Sequence, residues 1–186
     1  MNTIDLHAIK ALNMPKVGQI GFVVGSIERA LPYYSAFFNV DTWYEPRYAE
    51  KRHQYKGEET DYDERLVIAF SGKTQIELIE PKEEDHPYYA PFLREHGDGL
   101  HHLGFIVSGF DEKLKTMERL GIQALMSGRF KTAGGGLARF AHLDTREMCG
   151  IILEIIEITL YGIHVPQTAF MWNISAITGD VAKIKV

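Results

Sequence analysis

Four polar residues that could bind a metal ion lie at matching positions in two halves of the chain. The phrase QIGFVV at 19–24 returns as HLGFIV at 102–107, and IELIE at 76–80 returns as LEIIE at 153–157. The phrases contribute Gln19, Glu77, His102 and Glu154. One imidazole, two carboxylates and one amide oxygen suit a divalent Zn, Ni, Co, Mn or Fe ion and leave coordination positions free for water or a substrate.

The alternation of side chains along a strand places each of these residues on a defined face. Gln19 shares its face with Gly21, and His102 shares its face with Gly104, while the opposite faces are apolar. The glycine removes a side chain beside the metal, and we expect the space to serve a substrate. A divalent cation would also remove the cost of burying carboxylates in apolar strands.

Each of these residues, considered alone, has another interpretation. A single Gln19 on a strand is usually a hydrogen-bonded or surface residue. Glu80 and Glu157 lie on the strand faces opposite Glu77 and Glu154, and they could be the inward-facing pair instead. The joint repeat of two different polar phrases favours the hypothesis of four ligands.

Each opening phrase is followed by the same order of predicted elements. The offsets between the copies are similar, 83 residues from Gln19 to His102 and 77 residues from Glu77 to Glu154. Apolar residues then recur at helical spacing, and three strand patterns follow in each half. The unit βαβββ is thus present twice. The sequence predicts an α+β fold built from two tandem βαβββ modules.

These units give the predicted boundaries along the chain. The first module occupies 16–81, a charged connector 82–99, the second module 100–158 and a C-terminal extension 159–186. The polar segment 45–64 is predicted to be a long loop with a solvated acidic end, and the glycines at 134–136 a hairpin tip. Strand alternation puts His101 on the helix side, in a structural role. His142 has two interpretations: a structural role, or a side chain that points toward the candidate metal ligands.

The composition narrows the class of protein. A net charge of −5 argues against a nucleic-acid or anionic-membrane surface. The single Cys149 excludes an intrachain disulfide and a zinc site built from several thiolates. No stretch is long and apolar enough to span a bilayer, and 1–13 lacks the pattern of a secretory signal. We therefore expect a cytoplasmic protein without nucleic-acid or membrane partners.

The chain resembles the vicinal oxygen chelate superfamily over about residues 16–158. The stretches 92–105 and 140–155 are especially similar to its methylmalonyl-CoA epimerase branch. That branch has His where this chain has Gln19, and the set Gln, Glu, His, Glu resembles the ligands of the zinc form of glyoxalase I. The resemblance therefore implies that all four residues of the repeat bind a divalent metal ion. It also implies that the two βαβββ modules form a curled sheet around this metal site.

The resemblance also implies a metal-dependent enzyme. It would be an isomerase, epimerase or lyase that moves a proton next to a carbonyl through a metal-stabilised enediolate. Glu154 is the first candidate for the catalytic base, and Glu77 is its partner on the opposite face. The substrate would be an acyl-CoA, a thiol adduct or another oxygen chelator, and the protein a homodimer. A non-catalytic small-molecule binding or resistance protein and a ring-cleaving dioxygenase stay open, although a single His among the ligands argues against the dioxygenase.

Overall fold

The strands of the protein form one curled, mixed sheet accompanied by helices. The computed structural model describes residues 5–186. Residues 1–4 lie outside this range; they belong to the segment 1–13, which lacks the pattern of a secretory signal. The helices are α1 (Leu6–Ala11), α2 (Ile27–Phe38), α3 (Tyr89–His96), α4 (Phe110–Arg119), α5 (Arg146–Cys149) and α6 (Ala169–Thr178). Within the described residues, no helix combines the length and apolar character needed to cross a membrane.

Twelve strands lie in the described part of the chain. They are β1 (Gln19–Val23), β2 (Thr42–Pro46), β3 (Tyr48–Tyr55), β4 (Glu58–Thr60), β5 (Glu64–Ser71), β6 (Thr74–Pro81), β7 (Gly99–Ile106), β8 (Ala124–Thr132), β9 (Gly136–Leu143), β10 (Ile152–Leu160), β11 (Ile163–His164) and β12 (Val181–Lys185). Their order in the sheet is β12-β2-β5-β6-β1-β7-β10-β9-β8-β3-β4, and β11 pairs with β10. The opening strands β1 and β7 are antiparallel neighbours, flanked by the closing strands β6 and β10. The predicted α+β fold with two βαβββ units in one curled sheet is confirmed.

The second glutamate of each repeated phrase binds the first turn of the helix in its own module. Glu80 Oε2 accepts a hydrogen bond from the N–H of Ile27 in α2 at 3.0 Å, and Glu157 Oε1 accepts one from the N–H of Phe110 in α4 at 3.4 Å. A carboxylate is favourable there because the first N–H groups of a helix lack intrahelical partners and the helix dipole is positive at this end. Glu80 and Glu157 are therefore not the inward-facing pair.

The helices of the two modules pack on the sheet through separate cores. Ile27 and Leu31 of α2 pack with Trp43 of β2, and Met117 of α4 packs with Ile155 of β10. Burying such side chains stabilises the fold by about 1.5–3 kcal/mol each. The strands that carry the repeated polar residues are held in place from this side of the sheet.

The polar segment 45–64 is not a loop, so this prediction is wrong. It contains β3 and β4, and β3 pairs antiparallel with β8 of the second module. The acidic end is not fully solvated either, because Glu64 is only 2% exposed. Composition misleads here because strands near the edge of an antiparallel sheet keep one face in water and carry many polar residues.

The C-terminal extension folds onto both modules. Its strand β12 pairs with β2 of the first module. The phenol of Tyr44 donates to Asn173 Oδ1 of α6 at 3.0 Å, which fixes α6 over the first module. Asp180 Oδ1 accepts from the N–H of Gly134 at 2.9 Å, in the hairpin turn between β8 and β9. The extension thus bridges the two modules.

Candidate metal centre

In one row across the sheet, a glycine lies between two of the candidate ligands. Gly21 of β1 pairs with Glu77 of β6 on one side and with His102 of β7 on the other. A Cβ atom at position 21 would lie 2.0 Å from Cε1 of His102, so only glycine leaves room for this imidazole. The glycine accommodates the neighbouring candidate ligand, whereas the sequence suggested space for a substrate.

The next row repeats this arrangement with the two modules exchanged. Gly104 of β7 pairs with Gln19 of β1 and with Glu154 of β10. A Cβ atom at position 104 would lie 2.8 Å from Oε1 of Gln19. The two rows bring all four residues of the repeat to neighbouring positions in the middle of the sheet.

The side chains of Glu77, His102 and Glu154 converge on one point. Nε2 of His102 lies 3.4 Å from Oε2 of Glu77 and 3.1 Å from Oε2 of Glu154. One ligand atom from each residue lies within 4.8 Å of the other two. All three side chains are buried. Zinc takes nitrogen and oxygen ligands at about 2.0–2.2 Å, so one ion can reach all three atoms.

Several polar atoms of this group lack a hydrogen-bond partner. They are Oε1 of Gln19, Nε2 of His102 and Oε2 of Glu154, all shielded from solvent. Nε2 of His102 is close to both carboxylates, but not in the geometry of a hydrogen bond. Gln19 donates from Nε2 to Oε1 of Gln75 at 3.3 Å, which leaves its own oxygen available. Because buried polar atoms are nearly always paired, these atoms fit a shared divalent cation.

The buried charges of the group compensate one another. Burial disfavours a charged imidazole, but the carboxylates of Glu154 and Glu77 outweigh burial and raise the pKa of His102 to about 10. Burial also favours a neutral Glu154, yet His102 and His142 outweigh it and lower the pKa of Glu154 to about 2. Burial raises the pKa of Glu77. The carboxylates therefore require a positive charge between them. A divalent cation would supply this charge in competition with the proton on the imidazole of His102.

Two more histidines face the same side of the sheet. Nε2 of His142 on β9 lies 3.3 Å from Oε1 of Glu154. His101 is the extra residue of a β-bulge between β7 and β1, and its Nδ1 lies 3.1 Å from Nδ1 of His102. The expected helix-side position of His101 is therefore wrong, because a bulge breaks strand alternation. Burial lowers the pKa values of His101 and His142, so both rings are neutral at pH 7.

A cavity of about 170 Å³ adjoins the candidate ligands. Gln19, Glu77 and Glu154 line it, and most of its other walls are apolar side chains from both modules. Met171 and Trp172 of α6 complete the lining. A small molecule bound in this cavity would lie directly against the candidate metal ligands.

One family profile matches most of this chain. The glyoxalase/bleomycin resistance protein/dioxygenase superfamily matches residues 18–140, from the start of β1 to the middle of β9. The chain belongs to this superfamily. The resemblance stated from the sequence is thereby confirmed.

A curated protein and several solved structures are similar to this chain over most of its length. The uncharacterized protein YqjC of Bacillus subtilis is 27% identical over 146 residues, which is 77% of this chain and 93% of that protein. A solved structure of a hypothetical protein from Bacillus halodurans gives a TM-score of 0.52 at 25% identity, covering 76% of this chain and 93% of that chain. A Streptomyces coelicolor methylmalonyl-CoA epimerase in complex with 2-nitronate-propionyl-CoA gives 0.54 at 17% identity, covering 82% and 99%. This last likeness concerns the fold alone.

This superfamily member also contains a buried polar pair that the sequence did not indicate. Nε2 of His53 on β3 lies 2.9 Å from Oε1 of Glu64 on β5, and both side chains are buried. Glu64 lines the cavity, and its Oε2 has no hydrogen-bond partner. No signal pointed to this pair, because His53 lies in the segment predicted as a loop and Glu64 ends an acidic run that looked solvated.

Replacing His53 with Leu is expected to lower the free energy of unfolding by about 3 kcal/mol, because the buried carboxylate of Glu64 loses its partner. Adding Glu64→Leu should recover most of this loss, since an apolar pair of similar volume replaces a buried hydrogen-bonded pair at little cost. Urea unfolding of the single and double variants measures both effects. A single variant as stable as the unmodified protein would contradict this account of the pair.

Proposed function

We propose that this protein is a metal-dependent isomerase or lyase that moves a proton on the carbon next to a carbonyl group. The observation that carries the proposal is the convergence of buried Glu77, His102 and Glu154 beside a cavity for a small molecule. Membership of a superfamily whose description names glyoxalase supports it. Methylmalonyl-CoA epimerases share the fold, and epimerisation is one reaction of the proposed class.

Glu77, His102, Glu154 and the free oxygen of Gln19 would hold the cation, which could be Zn, Ni, Co, Mn or Fe. The two carboxylates carry two negative charges, and the imidazole and amide are neutral ligands, so the set matches one divalent ion. Such an ion would stabilise the negative charge that develops on a substrate oxygen. The roles of binding, orienting and proton transfer fall to the side chains around it.

Glu154 is the proposed catalytic base. It lines the cavity, and the neutral ring of His142, 3.3 Å from its Oε1, can donate a hydrogen bond that orients the carboxylate. Glu154 would accept the proton from the carbon next to the carbonyl; the C–H electron pair would form the C=C bond of the enediolate, and the C=O π electrons would move to the oxygen. Glu77, which lines the same cavity, would take up a proton from water and deliver it to the carbon skeleton. Glu154 would release its proton to water, so that both carboxylates return to their starting state.

Deuterium exchange tests this function directly. The protein is loaded with each candidate metal, its metal content is measured, and it is incubated in deuterium oxide with α-hydroxyketones, hemithioacetals and acyl-CoA esters. Mass spectrometry should detect deuterium next to the carbonyl in at least one class, and not with chelator-treated protein. If metal-loaded protein exchanges no substrate in the panel, the proposed reaction is wrong, and ligand binding without exchange would favour the non-catalytic binding protein.

His142 supports a second candidate function, the ring-cleaving dioxygenase. Its ring centroid lies 4.6 Å from that of His102, and both rings are close to Glu154. Two histidines and one carboxylate are the ligand set of non-haem Fe(II) oxygenases. Oxygen consumption by the Fe(II)-loaded protein with a catechol would establish this alternative, and its absence together with proton exchange would eliminate it.

The predicted homodimer and the predicted cytoplasmic location are independent of this chemistry. Sedimentation of the metal-loaded protein tests the first, since a dimer of the 186-residue chain has twice the monomer mass. Fractionation of cells tests the second.

A further inference from the structure

The cavity beside the candidate metal ligands is lined without a single cationic side chain. Within the described part of the chain, its lining residues include no Lys and no Arg. The walls away from the ligands are largely apolar and include Phe130, Phe140, Ile158 and Trp172. A negatively charged group that entered this cavity would therefore find no side-chain cation to pair with.

The charges that do line the cavity are negative. The carboxylates are those of Glu64, Glu77, Glu154 and Asp180. One divalent cation neutralises two of them, and Glu64 is hydrogen-bonded to His53, so metal binding leaves the cavity without an excess of positive charge. An anion placed there loses its hydration and finds no side-chain cation in the lining to replace it. Both effects oppose substrates that carry a carboxylate or phosphate inside the cavity.

The volume of the cavity also limits what it can hold. Its 170 Å³ is close to the roughly 150 Å³ of an apolar protein cavity that binds a benzene molecule. Three residues of α6 line this space, Met171, Trp172 and Ser175, so the C-terminal extension contributes part of the wall. A single ring or a short branched chain fits, whereas a tripeptide or a nucleotide carrier does not.

We infer that the substrate is a small, uncharged and mainly apolar carbonyl compound. Its ring or alkyl part would occupy the apolar walls, and its carbonyl oxygen would face Gln19, Glu77 and Glu154. The choice of a carbonyl compound rests on the proposed function, whereas size and lack of charge follow from the lining. Acyl-CoA esters, which the sequence had left as candidates, lie outside this substrate class.

Binding of two matched probes tests the inference without requiring turnover. Phenacyl alcohol is uncharged, whereas mandelate has the same ring and hydroxyl group but carries a carboxylate; acetyl-CoA represents the carrier-bound class. Calorimetric titration of zinc-loaded protein should show phenacyl alcohol binding at least about tenfold more tightly than mandelate. The reason is that burying the carboxylate of mandelate without a side-chain cation costs free energy. Acetyl-CoA should not bind measurably. Tighter or equal binding of mandelate or acetyl-CoA, or no binding of phenacyl alcohol, overturns the inference.

Two variants locate the binding and test its cause. The chain has two tryptophans, of which Trp172 lines the cavity and Trp43 lies in the first core. Phenacyl alcohol should change the tryptophan fluorescence, and Trp172→Phe should abolish that change. Ser175→Lys brings a cation to the wall and should strengthen mandelate binding by at least about tenfold, with phenacyl alcohol little affected. An unchanged preference in a folded Ser175→Lys variant contradicts the role of charge.

The outcomes also separate this inference from the proposed function. Tight binding of phenacyl alcohol without deuterium exchange in any substrate would leave the substrate class standing and refute the reaction. Exchange observed with acyl-CoA esters alone would support the reaction and refute the substrate class.

Discussion

Replacing Glu154 with Gln is expected to slow deuterium exchange by about a thousandfold, while the protein stays folded. Gln has nearly the same shape as Glu and keeps an oxygen that can bind a metal, but it cannot accept a proton. The amide oxygen of the new side chain can accept a hydrogen bond from the ring of His142 in place of Oε1 of Glu154, so the buried side chain keeps a partner. Exchange rates and metal content measured on the same sample separate loss of the base from loss of the metal.

Glu157→Gln is the matched control for this prediction. Glu157 lies in the same strand three residues later, on the opposite face, where it accepts from the N–H of Phe110 and forms an ion pair with Arg139. This variant should exchange at the unmodified rate and lose about 1 kcal/mol of stability, because the start of α4 is less well capped. Full activity in Glu154→Gln removes that residue from the mechanism. Equal losses in both variants would point to a general effect on the fold.

Replacing Gly21 with Ala is expected to weaken zinc binding by about 100-fold or more, the upper end of what displaced supporting groups cost. The new Cβ atom would lie 2.0 Å from Cε1 and 2.1 Å from Nε2 of His102. The imidazole ring is rigid, so it cannot relieve this contact by bending. It must move away from its position between Glu77 and Glu154. Zinc content after dialysis and competitive titration with a chelator measure the loss.

Gly25→Ala is the matched control, two residues beyond the end of β1. A Cβ atom there would be 3.5 Å from Asp98 Oδ1, an ordinary contact, and zinc binding should be unchanged. If Gly21→Ala is too unstable to assay, adding His102→Ala removes the clash and should restore stability without zinc binding. A stable Gly21→Ala protein with normal zinc affinity would show that His102 is not a ligand.

The sequence was sufficient to predict the centre of the sheet. Two phrases with matching polar positions predicted that β1 and β7, with β6 and β10, would be equivalent, and local alternation gave the shared face of Gln19 and Gly21 and of His102 and Gly104. This worked because these strands are buried and their alternating pattern is strict. The choices between Glu77 and Glu80 and between Glu154 and Glu157 required the structure, since each closing strand carries a glutamate on both faces.

Features that depend on distant contacts were not predictable. The partner of β3 is a strand more than seventy positions away. The polar sequence of β3 does not indicate that this partner is β8. His101 faces inward because of a bulge that periodicity cannot reveal. The pairing of β12 with β2 likewise joins the end of the chain to an early strand. Each of these contacts is set by tertiary structure, which overrides local pattern.

The reciprocal placement of the two glycines bears on the ancestry of the chain. Gly21 of the first module makes room for the ring of the second, and Gly104 of the second makes room for the amide of the first. The inward side chain of each copy therefore depends on a glycine in the other copy. Two separate subunits of a single-module ancestor would have accommodated each other in the same way across a two-fold axis. Gene fusion would then have joined halves that were already interdependent. Substitution after the fusion would have left glutamine in one copy and histidine in the other.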